Sequence, residues 1–275
     1  MKRFFGMAGI VLLSAVFVLP VISCAKKSSG QTGVKTVVVG TGNKYEPYCY
    51  LDANGNLVGF DKAVSDEVDK RLEEYTFVYE TFDFANVLVS LNTGKVDIGV
   101  HEFEENPERR KVYLYGEEGY NDYDSYLVVS ASGPYATISS LDEIAGNKDA
   151  VLGVSAASNH EAFVKTYNST HDANHQIAFE TYSDDEIMHQ NIASGRIIGR
   201  LSTIFDVERA NALITGLDLK TLGDPVIISK AYFIFRKDNA ELQQAVDRAL
   251  RQIKADGTLD KIKREVLDEY YNNLK

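Results

Sequence analysis

From Lys35 onward, short β-branched apolar runs alternate with stretches whose apolar residues recur every three or four positions. KTVVVG at 35–40, closed by glycine, predicts a buried strand. Asn54-Gly55 predicts a tight turn between short extended pieces. Asp61 stands where an N-cap belongs, and Val64, Val68 and Leu72 mark one helical stripe after it. YTFVYE at 75–80 predicts a strand, and Val87, Leu88 and Leu91 predict a short helix stopped by Gly94. Residues 96–100 predict another strand. A second block repeats the style, with strands at 151–154, 176–180 and 197–201 and helices over 159–167 and 184–193. The chain closes with two helices. Leu242, Ala245, Val246, Ala249, Leu250 and Ile253 form the stripe of the first, Gly257 ends it, and Thr258 is placed to cap the second. Strand–helix–strand units of this kind predict an α/β fold with mainly parallel sheets, arranged as two lobes.

The first 33 residues break this pattern. Met1-Lys2-Arg3 is basic, Phe4 to Val18 is mostly apolar, and LPVISC ends on Cys24. This is the layout of a secretory signal. A membrane span of about 20 residues would need a longer apolar run, which disfavours an uncleaved anchor helix. The junction resembles a bacterial lipoprotein signal, with Val21 and Ser23 before a cysteine that would be acylated, although Ile22 is bulky for its place. Residues 1–23 are then a signal peptide, and AKKSSGQTG continues as a flexible tether through residue 33. Cys49 would remain as the single other cysteine, so stability must come from a packed core and not from a disulfide.

The chain carries 40 acidic and 29 basic residues, a formal net charge of −11. That balance excludes a nucleic-acid partner, which needs a basic face. His171 and His175 have metal-like spacing without a third ligand, so neither a metal nor a cofactor is expected. Asn168-Ser169-Thr170 is a formal glycosylation sequon without meaning behind a bacterial signal. Cys49, between Tyr48 and Tyr50, reads as a small buried hydrophobe.

HEFEENPERR at 101–110 is the stretch with chemistry, with four glutamates, a histidine and two arginines. Taken alone it reads as a solvated loop, with Arg109 in a surface salt bridge to Glu105 or Glu108.

The order of motifs along the chain resembles the family 3 extracellular solute-binding proteins, the amino-acid receptors of ABC importers. The likeness is carried by TVVVGTGNKYEPY at 36–48, GNLVGFD at 55–61, LNTGKVDIGV at 91–100, NPERR at 106–110, SLDEIAG at 140–146 and ADGTLDKI at 255–262. It implies a type II periplasmic-binding-protein fold, two α/β lobes joined by two hinge strands and closing on one ligand. Lobe one would comprise residues 34–121 and 229–275 and lobe two residues 122–228, with crossings near 119–125 and 226–232. The implied partners are an amino acid and the permease subunits of an importer. The implied setting is the cell envelope, with a monomer held by lipid on Cys24 and facing the periplasm or the exterior.

The resemblance also nominates site residues. Arg109 falls on the arginine that grips the ligand carboxylate, a task suited to the guanidinium fork. Tyr45 and Phe84 fall on two aromatic rings around the ligand side chain. His101 and Glu102 fall on a strand end whose backbone contacts the ligand, and Glu104 on a hydrogen-bonding position. Ser155, Ala157 and Ser158 fall on a turn that opens a helix and offers backbone N–H groups to the carboxylate. There are departures. The lobe-two aspartate that takes the ligand ammonium aligns at Thr203, an acid is replaced by Gly42, and Ile198 stands in place of another. A buried ammonium without an anion would be costly. The expectation is therefore that Glu104, helped by Glu102, takes over that role, and the acid-rich site suits a polar, cationic or cystine-like amino acid. The rival readings are a dehydratase-type enzyme on the same scaffold, using His101 and Glu104, and a sensor feeding a membrane receptor.

If Cys24 is the lipid attachment point, a Cys24→Ala variant loses detergent-phase partitioning, measured by phase separation of whole-cell protein. Mature protein without acyl mass on Cys24 would refute the assignment.

Overall fold

A computed structural model describes residues 33–274. The signal segment, Cys24 and nearly all of the tether lie outside the described residues. Among those described, no helix is long and apolar enough to cross a membrane.

The first part of the chain forms β1 (Lys35–Thr41), three short strands β2 (Lys44–Tyr45), β3 (Cys49–Leu51) and β4 (Leu57–Val58), then α1 (Phe60–Asp69), β5 (Tyr75–Thr81), α2 (Phe84–Asn92) and β6 (Ile98–Glu104). After α3 (Pro107–Val112) come β7 (Tyr113–Tyr115) and β8 (Asn121–Asp122). The middle part contains β9 (Ser125–Ser130), β10 (Leu152–Ser155), α4 (Asn159–Thr170), β11 (Phe179–Tyr182), α5 (Asp185–Ala193), β12 (Gly199–Ser202), α6 (Ile204–Leu213) and β13 (Leu219–Ile227). The last part is β14 (Lys230–Arg236), α7 (Ala240–Ala255), α8 (Thr258–Ile262) and α9 (Glu269–Leu274).

These strands build two large sheets. The first runs β5-β1-β6-β14-β7, with β8 also on β14, and the second runs β11-β10-β12-β9-β13. In the first, β1 is parallel to β5 and β6, while β14 enters antiparallel between β6 and β7. In the second, β10 is parallel to β11 and β12, and β9 lies antiparallel to β12 and β13. The chain passes from one sheet to the other between β8 and β9, and returns between β13 and β14. The result is the two-lobed α/β architecture that the strand and helix patterning predicts.

The helical stripes pack as their spacing requires. Leu242, Ala245, Val246, Ala249, Leu250 and Ile253 of α7 are all buried, in one core with Val64 and Val68 of α1 and Val37 and Val39 of β1. The second sheet has a core of its own, with Leu127, Val129, Leu152, Val154, Val164 and Leu201.

Three local expectations are corrected. Asp61 does not cap α1: Gly59 does, at φ 115°, where an added Cβ would come within 2.4 Å of the Tyr48 carbonyl oxygen. Asp61 lies inside the first turn, fully buried, and accepts a hydrogen bond from Tyr120 Oη at 2.8 Å. Gly257, left-handed at φ 79°, is the cap of α8, and Thr258 is its first residue. Most consequential, HEFE is no solvated loop. Residues 101–104 continue β6, and all seven residues of that strand are buried. The polar run beyond it becomes α3, with Pro107 in the first turn and the Asn106 side chain accepting from Arg109 N at 2.8 Å. The elements that patterning does not find include α3, β7, β8, β9, α6, β13 and β14.

Truncating a fully buried α7 leucine removes transfer energy and leaves a cavity. Leu250→Ala should therefore destabilise the fold by about 2–5 kcal/mol in urea titration. Val89→Ala, on the exposed side of α2, should stay within about 0.5 kcal/mol.

Candidate functional site

The carboxyl ends of the parallel strands carry the polar residues of both sheets. In an open α/β sheet this edge is where a ligand finds free backbone groups and loop side chains. From the first sheet come His101, Glu102 and Glu104 at the end of β6, with Arg109 on the short helix that follows. From the second come Ser155 at the end of β10, the turn into α4, and Thr203 after β12.

Arg109 joins the two sets. It is 7% exposed. Its Nη1 donates to the Glu104 carbonyl oxygen at 3.1 Å, and its Nη2 donates to the Ala157 carbonyl oxygen of the second lobe. The rings of Phe84 and Phe103 lie 5.5 and 5.6 Å from its Cζ. The acids of its own segment are engaged elsewhere, Glu105 by Arg110 and Glu108 by Lys111. A surface ion pair is thus not what Arg109 is for. A buried guanidinium held by carbonyl oxygens keeps its full charge available for an anion.

Among the described residues two non-glycine residues have positive φ, Glu102 at 46° and Ala157 at 59°. Such backbone costs energy and is held only where the surroundings over-determine it. Both positions are among the nominated contacts, and Ala157 is the one whose carbonyl oxygen meets Arg109.

Tyr45 and Phe84 both pack against the His101 imidazole. It stacks on Tyr45 with centroids 5.5 Å apart and meets the Phe84 ring edgewise at 5.0 Å. Tyr45 Oη also hydrogen-bonds Tyr123 Oη. Gly42 explains the room for the imidazole, since a Cβ there would fall 2.4 Å from His101 Nε2. Burial, reinforced by the Arg109 charge, holds the His101 pKa down at about 4, so the ring is neutral at physiological pH.

The Glu102 carboxyl group turns inward, with Oε2 accepting from Asn121 Nδ2 at 2.8 Å. The remaining oxygens, Glu102 Oε1 and Asp61 Oδ2, are buried without a hydrogen-bond partner among the described residues. Burial without a donor disfavours the ionised form of each. Burial first, and then the Asp61 charge, push Glu102 well above the ordinary carboxyl range. Glu102 is therefore not an anion offered to a ligand.

Glu104 sits at the seam. Its Oε1 accepts from Asn159 Nδ2 of α4 at 3.1 Å, and burial raises its pKa against the opposing pull of Ser229, Asn159 and Arg109. Ser158 caps α4 by accepting from Glu161 N at 3.1 Å, while Glu161 Oε2 accepts from Ala157 N at 2.7 Å. The Ala157 amide is thus taken by the cap and the Ser158 amide by the Ser155 carbonyl oxygen at 3.2 Å, which leaves those of Asn159 and His160. Ser155 Oγ donates to Asp185 Oδ1 at 2.7 Å. Thr203 caps α6 by accepting from Asp206 N at 3.1 Å.

Asp185, Arg200, Asp206, Tyr123 and Asn159 belong to this neighbourhood and were not anticipated. One signal was present: Arg200 interrupts the apolar run IIGRL, and a charge inside a buried strand implies a partner.

The sequence matches the family described as bacterial extracellular solute-binding proteins, family 3, over residues 37–269. It is 33% identical to the L-cystine-binding protein TcyK of Bacillus subtilis (strain 168), over 95% of each chain. It is 28% identical to the lysine/arginine/ornithine-binding periplasmic protein of Escherichia coli (strain K12), over 85% of this chain and 88% of that one. Among solved structures, the putative L-cystine ABC transporter from Listeria monocytogenes superposes with a TM-score of 0.75 at 37% identity, covering 85% of this chain and 96% of that chain. The chain belongs to the bacterial extracellular solute-binding proteins, family 3.

Proposed function

We propose that this protein is the substrate-binding component of an ABC importer and captures a cystine-like amino acid between its two lobes. The observation that carries this reading is Arg109, a buried guanidinium without a carboxylate partner among the described residues, at the seam of the two sheets. Its fork receives the ligand's α-carboxylate, displacing the Ala157 carbonyl oxygen or sharing the charge with it. The amides of Asn159 and His160 face the same carboxylate from the opposite lobe. Relatives along the whole chain that bind L-cystine support the choice of ligand.

The rest of the assignment follows from that role. Residues 34–121 with 229–275 form one moving body and residues 122–228 the other, hinged at the two crossings. Lipid on Cys24, exposed after removal of residues 1–23, tethers a monomer to the membrane with its cleft facing the periplasm or the exterior. The permease subunits of the importer receive the closed form. The protein is a receptor and not an enzyme: His101, the base that a dehydratase would use, is buried between two rings and points Nε2 at Gly42.

A ligand that binds only the folded form stabilises it by about 2.7 kcal/mol at a hundred times its dissociation constant. In a thermal-shift screen of amino acids, L-cystine should give the largest rise, and calorimetry on the wild type should give its affinity. Arg109→Lys keeps the charge and loses the fork, so it should weaken binding by about 2–5 kcal/mol, roughly thirty-fold to several thousand-fold. A flat screen, or wild-type affinity in Arg109→Lys, refutes the assignment.

A further inference from the structure

The carboxyl edge of the second sheet holds a charge cluster that no sequence motif announces. Arg200, on β12 and 4% exposed, donates from Nη2 to Asp185 Oδ2 at 3.2 Å and lies 3.7 Å from Asp206 Oδ2 through Nη1. Its Nη1 also donates to His189 Nε2 at 3.1 Å, which fixes His189 as the neutral Nδ1–H tautomer. One guanidinium between two carboxylates leaves the cluster with a net charge of about minus one.

The two carboxylates are not equivalent. The Asp206 side chain is only 10% exposed, and its Oδ2 already accepts from Ser202 Oγ at 2.6 Å. The Asp185 side chain is 45% open to solvent, and the Ser155 hydroxyl at the end of β10 donates to its Oδ1 at 2.7 Å. It stands in the first turn of α5, where the helix dipole favours an anion. Despite the opposing effect of burial, Arg200 and Ser155 hold its carboxyl below the ordinary range. Its partner Ser155 begins the turn whose Ala157 carbonyl oxygen meets Arg109, so Asp185 stands on the edge of the second sheet from which Arg109 is reached.

We propose that Asp185 is the anion that receives the ligand's ammonium group, taking the part that Thr203 cannot play and that Glu102 and Glu104 were expected to play. Thr203 spends its hydroxyl on the α6 cap, Glu102 turns inward to Asn121, and Glu104 is drawn to Asn159. Asp185 and Arg109, on opposite lobes, then form the two ends of a zwitterion site, and closure brings them to one ligand. Arg200 and Ser155 position the carboxylate while Asp206 offsets the guanidinium, so Asp185 retains negative charge for a third partner. The inference rests on reading the cleft as an amino-acid site.

The test compares two probes by calorimetry, L-cystine and 3,3′-dithiodipropionic acid, which is the same skeleton without its ammonium groups. If another amino acid of the screen binds best, that amino acid and its des-amino acid replace the pair. Wild type should prefer the amino form by at least about thirty-fold, the lower bound for an unpaired desolvated charge. Asp185→Asn should reduce that preference to below about five-fold while leaving affinity for the des-amino probe within about three-fold. Asp185→Glu, which moves the charge by one methylene and keeps the Arg200 pair, should fall between. Glu186→Gln removes the same charge from the exposed side of the same turn and should leave the preference intact. An unmoved preference in Asp185→Asn, or an equal fall in Glu186→Gln, overturns the assignment of Asp185 alone. Wild type that binds no amino acid overturns the receptor reading and this inference with it.

Discussion

A guanidinium that leaves water must find acceptors for a rigid fork of donors, and Arg109 finds them on both halves of the molecule. One arm is satisfied by the Glu104 carbonyl oxygen at the end of β6, the other by the Ala157 carbonyl oxygen at the mouth of β10. Carbonyl oxygens satisfy hydrogen bonds without neutralising charge. The positive charge at the seam is thus left to an incoming anion. The left-handed backbone at Ala157 and the Asn106 cap of α3 make sense as the means of holding the two arms in place.

The buried acids around this seam show how position decides protonation. Asp61 and Glu102 are buried with no ion-pair partner among the described residues, and burial raises the pKa of both. Asp185 lies opposite with a guanidinium beside it and stays ionised. The two environments differ in burial, in the presence of a like charge and in a neighbouring cation, and all three push the two sites apart.

Much of the architecture was legible in the sequence because burial imposes periodicity. The α7 stripe and the β-branched run of β1 could pack only one way, and the order of motifs carried the two-lobed fold. The same logic failed for β6, since a buried strand containing His101, Glu102 and Glu104 violates the apolar pattern that identifies strands. Those polar residues are tolerated because neighbours distant in sequence satisfy them: Asn121 for Glu102, Asn159 for Glu104. The acid of the second lobe was missed for a related reason. Alignment pointed to position 203, whereas Asp185, Arg200 and Asp206 come together from α5, β12 and α6 only in three dimensions.

The insertion of β14 between β6 and β7 has a bearing on biosynthesis. On a ribosome the chain is made from its amino end, and β6 waits for a neighbour that appears only when residues 230–236 have been made. Meanwhile a strand edge with buried acids stands unpaired, and every contact across it closes a long loop, which slows folding. The middle lobe, whose sheet is complete once β13 is made, can fold before the outer one. The nascent polypeptide therefore remains partly open until its carboxyl end emerges, a state that an export machine requiring unfolded cargo can thread and a cytoplasmic protease can cut.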